Sequence, residues 1–352
     1  MQTKRKVISE IVSKGRNINL WKSKGKEVFN NEYDKSTLLA YYNAASRTNQ
    51  DSNRDLWSDL TNNGYDLQLN NFVFGGLSGW NGYLQNFNEW NFSSRLTTST
   101  KNDNSFTSTA VITSDTVRIT LLSKTISAVE TIKVRVSGDI MYNGTPMWFF
   151  QTATGGVAKT QNITSEGIYE FSSNEGNTLI AISFAVIGAG TMNVNTTFQQ
   201  IAEYPNAIVT DGIDDFAQSI ISLPAFANNN YTFVFDFETL NTGTTSPILR
   251  RNGIELYRLS SNLWQQSNIG ANKTFPNMPL AITGSGAIDF LGNKYLVNPA
   301  QNDAAGALRL ANDLSGDYGA LAIRSLSVWN GINMNYEQCV NVYNRMKNNT
   351  LI

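Results

Sequence analysis

The chain has 352 residues, a formal net charge of −1, and a composition that is 41% hydrophobic but only 16% charged. The balanced charge gives no reason to expect nucleic acid or an anionic membrane as a partner of the whole molecule. Histidine is missing from the sequence, which excludes Ser-His-Asp and Cys-His catalytic centres and removes the commonest transition-metal ligand. The single cysteine, Cys339, has no intrachain disulfide partner, so cysteine use does not indicate an oxidising compartment.

The first predicted unit, residues 1–35, is a basic segment. Its first 26 residues contain one acid, Glu10, and eight basic residues. The basic residues are Lys4, Arg5, Lys6, Lys14, Arg16, Lys22, Lys24 and Lys26. Such a segment suits contact with an acidic partner, and we interpret it as an anchor.

A short amphipathic helix is predicted inside this segment, ending near Gly15. Its apolar stripe consists of Val7, Ile8, Ile11 and Val12. The stripe either lies on the body of its own subunit or forms an anchor or oligomer seam, for which β-branched residues favour small bundles. We therefore predict a homo-oligomer, with a trimer favoured.

The same segment lacks the continuous apolar region of a signal peptide, because Ser9 and Glu10 interrupt it. The longest apolar stretch of the chain, residues 180–190, is far shorter than the ~20 residues that span a bilayer. We expect a soluble product that is made inside the cell and has no membrane contact.

Two features precede residue 82. Thr37 to Ala45 is apolar on both sides and fits either a buried strand or a helix. Asn63-Gly64 then predicts a turn, and Leu67 and Leu69 alternate with polar residues as in a strand.

Residues 83–203 are rich in Thr, Ser and Asn and contain short predicted strands such as Val117–Leu122 and Ile132–Val136. Turn residues fall between these strands at regular intervals, as at Gly144, Gly167 and Gly176. This spacing is typical of a β-sandwich or jelly roll.

The clearest strand lies beyond residue 204. Four aromatic side chains share one predicted face, and four others, ending in two acids, share the opposite face. The aromatic face is Tyr231, Phe233, Phe235 and Phe237, and the opposite face is Thr232, Val234, Asp236 and Glu238. We predict that the aromatic face is buried against a second sheet and that the acidic face is solvated.

A strand from Ala320 to Trp329 and a terminal helix close the chain. Asn335 is placed to cap the helix, with Gln338 three residues later. Its predicted buried stripe is Tyr336, Cys339, Val340, Tyr343 and Met346.

Three separated stretches resemble the concanavalin A-like, laminin-G type lectin family. They are Asp59 to Asn71 (DLTNNGYDLQLNN), Asp211 to Phe216 (DGIDDF), and Leu321 to Tyr343. The resemblance implies a single antiparallel β-sandwich in which the first two stretches normally lie close together. We therefore predict a mostly β fold in which a lectin-like jelly roll, made of residues 36–82 and 204–352, carries a second β-sandwich inserted at 83–203.

Leu39 to Tyr42, the 59–72 stretch, and Tyr204 to Ala207 leading into DGIDD are also similar to virion proteins of tailed phages that infect Bacteroidales, including crAss-like phages. This resemblance implies a structural subunit of the particle, a fibre or decoration protein of head or tail. It would lie on the virion surface and bind other virion proteins through its N-terminal segment. The alternative is a glycan-binding adhesin that recognises a host surface glycan.

Asp211, Asp214 and Asp215 are the candidate metal ligands. Carboxylate oxygens suit Ca²⁺, but three of them supply only part of its ~6–8 ligands. The alternative is an Asp-Gly turn whose side chains bond the local backbone. We predict no other cofactor.

Catalytic residues are not predicted. Retaining glucanases on this fold carry a strand of the type Glu-x-Asp-x-(x)-Glu, because two carboxylates must flank the bond that is cleaved. Asp236 and Glu238 share a strand face, but the third carboxylate of the pattern is missing from the sequence around them. We predict that the protein is not an enzyme.

Carbohydrate binding is predicted where aromatic rings adjoin amides, since the apolar faces of sugars stack on rings while their hydroxyls bond to amides. The candidate residues are Trp80, Asn81, Tyr83, Trp90 and Trp264. The alternative for the 78–90 loop is an aromatic plug at the junction of the two domains.

Overall fold

The structure is a computed structural model that describes residues 22–23, 26–27, 33–92, 99–114, 118–142, 145–153, 156–174, 176–185, 190–240, 245–268, 271–297, 304–313 and 316–352. As predicted, these residues are mostly β, with antiparallel sheets and one C-terminal α-helix. The predicted helix at Val7 to Val12 lies outside the described residues. No helix of the described chain is long and apolar enough to cross a membrane.

In chain order the strands are β1 (Lys22–Ser23), β2 (Lys26–Glu27), β3 (Leu38–Asn43), β4 (Leu56–Trp57), β5 (Leu67–Asn70), β6 (Gly79–Trp80), β7 (Asn91–Phe92), β8 (Ser99–Lys101), β9 (Ser105–Ser114), β10 (Arg118–Thr125), β11 (Thr131–Gly138), β12 (Met141–Tyr142), β13 (Thr145–Ala153), β14 (Gly156–Ile163), β15 (Gly167–Ser172), β16 (Asn177–Ala185), β17 (Gly190–Gln200), β18 (Ile208–Asp211), β19 (Phe216–Ser219), β20 (Tyr231–Thr239), β21 (Ser246–Arg251), β22 (Ile254–Ser260), β23 (Leu263–Asn268), β24 (Ala271–Phe275), β25 (Pro279–Thr283), β26 (Gly286–Asp289), β27 (Lys294–Leu296), β28 (Arg309–Leu310) and β29 (Ala320–Asn330). The α-helix is α1 (Tyr336–Lys347), and single 3₁₀ turns occur at Lys35–Thr37, Phe87–Glu89 and Ala227–Asn229.

These strands form four larger sheets and the small β1-β2 hairpin. Sheet 1 has the order β27-β26-β25-β20-β29-β18-β6, with β3 also paired to β29. Sheet 2 has the order β24-β23-β22-β21-β28-β19-β5-β4. Sheet 3 has the order β12-β13-β16-β10-β7, with β14 paired to β13, and sheet 4 has the order β15-β11-β17-β9-β8.

Sheets 1 and 2 share one apolar core, as the aromatic row of β20 predicted. Tyr231 and Phe233 of β20 pack in the same cluster as Ile254 and Leu256 of β22, and all four side chains are buried. Burying each side chain of this size contributes roughly 1.5–3 kcal/mol to the free energy of unfolding. The two sheets are therefore held face to face, an arrangement consistent with a β-sandwich.

The opposite face of β20 differs from the prediction of a solvated surface. The apolar side of α1 covers it, so that Val234 packs with Cys339, Val342 and Met346 of the helix. Asp236 is consequently buried, while Glu238 remains half exposed. The error arose because the pattern of one strand does not reveal which distant element packs on it.

Helix α1 begins where the sequence predicted. The Asn335 side chain accepts a hydrogen bond from the Gln338 backbone N–H, and the Gln338 side chain accepts one from the Asn335 N–H. This reciprocal capping box satisfies two backbone donors that would otherwise lack partners. The predicted strand before it is also confirmed as β29, and the ambiguous stretch near Thr37 contains β3.

Sheets 3 and 4 contain all of the described strands between β7 and β17, and these strands pair only with one another in the described chain. Their cluster of buried residues is separate from that of sheets 1 and 2 and includes Phe149, Phe171 and Phe198. The predicted division of the chain at residues 83 and 203 remains a prediction, and the pairing defines where a deletion would test it.

The chain leaves sheet 1 and returns to it at adjacent positions. Glu203 N–H donates to Gly82 O at 2.9 Å, and Tyr204 N–H donates to Asn81 O at 3.0 Å. Asn81 N–H in turn donates to Ala207 O at 2.7 Å. The two connecting segments therefore run side by side.

A buried network of polar side chains connects the two sheet pairs beside these segments. Asn49 Nδ2 donates to Asp103 Oδ2 at 2.8 Å, and Asn49 Oδ1 accepts from Trp80 N–H at 2.7 Å. Gln200 Nε2 donates to the backbone oxygens of Asp103 and Gln85, at 2.8 and 2.7 Å. Because buried polar groups are costly without partners, this network favours one relative position of the connected segments.

Candidate functional site

The candidate metal ligands lie in the turn between β18 and β19. Gly212, which follows Asp211, has a φ of +76°, a conformation that glycine adopts without strain. Asp211 Oδ1 accepts hydrogen bonds from the N–H groups of Ile213 at 2.8 Å and Asp214 at 3.4 Å. Asp215 Oδ2 accepts from the N–H of Asp211 at 3.0 Å. The side chains thus bond the local backbone, as the Asp-Gly turn interpretation requires.

Asp215 has a property that a simple turn does not explain. Its carboxylate is fully buried, and its Oδ1 atom has no hydrogen-bond partner within the described chain. Burial raises the pKa of Asp215 to about 7, with smaller contributions from the charges of Asp211 and Asp214, while the Ser78 side chain opposes the increase. At neutral pH the site therefore has affinity for a proton or for another cation.

The three carboxylates are close enough to share a cation, since one oxygen from each lies within 4.8 Å of the others. The buried, unpartnered Oδ1 of Asp215 fits a hard cation such as Ca²⁺, which binds oxygen ligands. Two of the carboxylate oxygens already accept backbone N–H groups, which leaves most of the ~6–8 ligands to be found elsewhere. Calcium binding at Asp211, Asp214 and Asp215 thus remains a prediction.

The structure does not bring the predicted carbohydrate-binding aromatics together. Trp80 and Trp264 are buried in the core between sheets 1 and 2, whereas Trp90 is buried in the core between sheets 3 and 4. Tyr83, also buried, lies between the two sheet pairs, where its hydroxyl accepts a hydrogen bond from Asn104 at 3.0 Å. Stacking on a sugar requires an exposed ring face. The prediction of a sugar site at these residues is therefore corrected.

Asn81, the remaining member of that set, has a structural role. Its Nδ2 donates to Arg47 O at 2.8 Å and its Oδ1 accepts from Asn206 N–H at 2.8 Å. Together with its backbone bonds, these contacts hold the outgoing and returning segments against each other. Of the aromatic residues in the suggested plug, Tyr83 lies between the sheet pairs, whereas Trp80 and Trp90 fill two separate cores.

Arg324 lies beside Asp236 and Glu238, the two acids considered for glycoside cleavage. Its Nη2 pairs with Glu238 Oε1 at 2.5 Å, and its Nη1 lies 3.9 Å from Asp236 Oδ1. Burial raises the pKa of Asp236, and the Arg324 charge opposes that increase. The geometry therefore gives these acids an ion-pairing role at the edge of the helix-covered face.

A further group of polar residues lies on the outer face of sheet 2, where the sequence did not indicate a site. In the strand register, Gln218 is opposite Arg309, Arg309 is opposite Arg250, and Arg250 is opposite Glu255. Directly opposed residues share a sheet face. Glu255 alternates with the core residues Ile254 and Leu256 and so points outward. We call Gln218, Arg309, Arg250 and Glu255 the polar row.

Two aromatic rings adjoin this row. The Arg309 guanidinium carbon lies 5.6 Å from the ring centroid of Phe216, and the rings of Phe216 and Tyr318 are 6.3 Å apart. All three side chains are partly exposed. This arrangement is not visible in the sequence, because β28, which carries Arg309, is only two residues long and has no periodic pattern.

Comparison with known proteins gives no family for this chain: no protein-family model matches it, and no curated protein matches it.

Proposed function

We propose that the chain is a structural subunit of a bacteriophage particle, a fibre or decoration protein of head or tail that displays β-sandwich domains on the surface of the virion. In this proposal, sheets 1 and 2 form a lectin-like jelly roll made of residues 36–82 and 204–352. Sheets 3 and 4 form a second sandwich inserted at 83–203. Residues 1–35 bind other virion proteins and contribute to a homo-oligomer, with a trimer favoured.

The observation that carries this proposal is the connection between the two sheet pairs. Covalently linked domains move relative to one another unless their interface is substantial. Here two antiparallel connecting segments and the buried network around Asn49 and Asp103 link the pairs. A fixed relation between the two sheet pairs suits a display subunit, because it holds the outward domain in one orientation relative to the anchored one. The basic composition of the N-terminal segment supports an anchor at one end.

The proposal is tested by incorporation into particles. We expect a chain that lacks residues 1–28 to fold but to be missing from purified particles. The full chain should be detected on the particle surface by antibody labelling in electron microscopy. A Val7→Asp, Ile11→Asp double variant removes two members of the apolar stripe and keeps every basic residue. Loss of incorporation in that variant assigns the anchor to apolar packing.

Two results decide against the proposal in different ways. If antibodies against the full chain label no particle, the virion role is wrong. If the truncated chain is incorporated at the same copy number as the full chain, the anchor assignment is wrong and docking occurs through a β-domain.

A further inference from the structure

The two outer faces of the larger sheet pair are used differently. On sheet 1, α1 covers the outer face of β20. On sheet 2, the polar row and its two aromatic neighbours are partly exposed to solvent. An exposed antiparallel sheet face needs only polar residues to be stable in water. Sheet 2 also presents an arginine without a carboxylate partner in the described chain and two partly exposed aromatic rings, which solubility alone does not require.

Arg309 is the unusual member of the row. Like charges directly opposite one another in a sheet destabilise it, and Arg309 is opposite Arg250. Glu255 compensates Arg250, with a distance of 3.3 Å between Arg250 Nε and Glu255 Oε1. Arg309 has no carboxylate partner within the described chain; it donates to Asn312 Oδ1 at 3.1 Å and lies over the ring of Phe216.

The positive charge of Arg309 is unfavourable in its surroundings, so a bound anion would stabilise it. Partial burial and the neighbouring charge of Arg250 lower the pKa of the Arg309 guanidinium. A guanidinium has five N–H donors in a planar fork that matches a carboxylate. With one bond to Asn312, most of these donors remain available to a ligand.

The surroundings of Arg309 specify more than a negative charge. Phe216 and Tyr318 offer ring surface on which the apolar face of a sugar can pack. Gln218, directly opposite Arg309, offers an amide that bonds to hydroxyl groups. Arg250 is already paired with Glu255, so the row offers one guanidinium for a ligand anion, which suits a single carboxylate better than a polyphosphate chain.

From this combination we propose that the outer face of sheet 2 binds a carboxylate-bearing saccharide of the uronic or sialic acid type. Arg309 receives the sugar carboxylate, Gln218 bonds to hydroxyl groups, and Phe216 with Tyr318 packs against the ring. This binding function goes beyond display on a particle. It is tested on the purified protein, so its failure leaves the virion proposal untouched.

The test compares three probes by calorimetric titration of the purified full chain: a trigalacturonate, a neutral galactose trisaccharide, and a sulfated galactose trisaccharide. We expect the trigalacturonate to bind, with an affinity that falls as salt is raised, and the other two to bind at least about tenfold more weakly. Arg309→Gln keeps a donor for Asn312 and removes the charge. It should weaken trigalacturonate binding about tenfold or more, as expected for a charge-assisted hydrogen bond.

Two further variants complete the design. Arg135→Gln is the matched control, because Arg135 is an exposed strand arginine on sheet 4 that should not affect binding. Phe216→Leu should weaken the trigalacturonate without affecting its preference over the neutral sugar. Thermal unfolding is measured for each variant, and Arg309→Gln should unfold at the same temperature as the parent or higher, since it removes a like-charge contact.

Three outcomes overturn the proposal. The first is no binding of trigalacturonate at millimolar concentration, and the second is equal binding by Arg309→Gln and the parent protein. The third is equal binding of the sulfated sugar through Arg309, which would make the surface a general anion site. If Arg309→Gln does not fold, Arg309→Lys replaces it; this variant keeps the charge, loses the planar fork, and should still bind several-fold more weakly.

Discussion

The buried carboxyl of Asp215, in the turn between β18 and β19, should make the free energy of unfolding depend on pH. Its folded-state pKa of about 7 is higher than the ~3.9 of an unfolded chain, so the folded protein holds the proton more tightly. The stability from this proton is complete below pH ~4 and is lost as the pH rises through about 7. At ~1.4 kcal/mol per pKa unit, the loss is of order 4 kcal/mol.

Asp215→Asn should remove this dependence, because an amide does not titrate. The variant's free energy of unfolding, relative to that of the parent, should increase between pH 4.5 and pH 8 in urea titrations with a chelator present. Asp214→Asn is the matched control, since Asp214 is exposed in the same turn. A parent protein whose stability rises with pH by the same amount as that of Asp215→Asn would contradict the burial argument.

Calcium offers a separate test of the same carboxylates. A cation must displace the proton from Asp215, so binding should be tighter at pH 8 than at pH 6. A ligand that binds only the folded state raises the unfolding temperature, and we expect millimolar Ca²⁺ to do so for the parent protein at pH 8. Asp215→Asn should respond much less. An unchanged unfolding temperature in the parent would leave Asp211, Asp214 and Asp215 with a turn-forming role alone.

The strands and the terminal helix differ in how far the sequence predicted them. The aromatic alternation in β20 predicted both a strand and its buried face, because a repeat of two residues is visible locally. The cap at Asn335 was likewise visible in four consecutive residues. What the sequence did not predict is that α1 covers the second face of β20, since that contact joins residues about a hundred positions apart.

The capping box of α1 gives a prediction for this covering helix. Asn335→Ala removes the side chain that accepts from Gln338 N–H, and should lower the free energy of unfolding by about 1 kcal/mol in urea titrations. Asn344→Ala is the control, because Asn344 is exposed within the helix and alanine has the higher helix propensity. Equal destabilisation by the two changes would show that the cap contributes nothing specific.

The polar row on sheet 2 illustrates why binding surfaces of β proteins escape sequence analysis. Its members come from four strands, and register alone brings them together. Gln218, Arg309, Arg250 and Glu255 form no motif along the chain. The sugar prediction at Trp80 and Trp90 failed for the related reason that ring exposure depends on the whole fold: each ring fills a different core.

The two sheet pairs have separate apolar cores but share the buried network of Asn49, Asp103, Gln200 and Gln85. The stability of each pair should therefore depend on the other only through this network. Separate cores favour independent folding, whereas a shared network makes each pair depend on the other for a few hydrogen bonds. Burial raises the pKa of Asp103, and its bonds from Asn49 and Gln50 oppose that increase. Removal of one pair should therefore cost the other these bonds and leave its apolar core intact.

Deleting residues 83–202 and joining Gly82 to Glu203 through a short Gly/Ser linker tests this expectation. The backbone bond between these two residues, 2.9 Å from N to O, shows that a few residues suffice to connect them. We expect a folded protein with β-type circular dichroism and cooperative thermal unfolding, because sheets 1 and 2 keep every strand and their common core. Asn49→Leu in the full chain measures the shared network separately. It removes the donor to Asp103 Oδ2 and the acceptor for Trp80 N–H, and should lower the free energy of unfolding by about 1–3 kcal/mol, because buried polar groups lose these partners. An insoluble deletion protein without β-type dichroism would show that the chain is one cooperative unit, and the division at residues 83 and 203 would then be wrong.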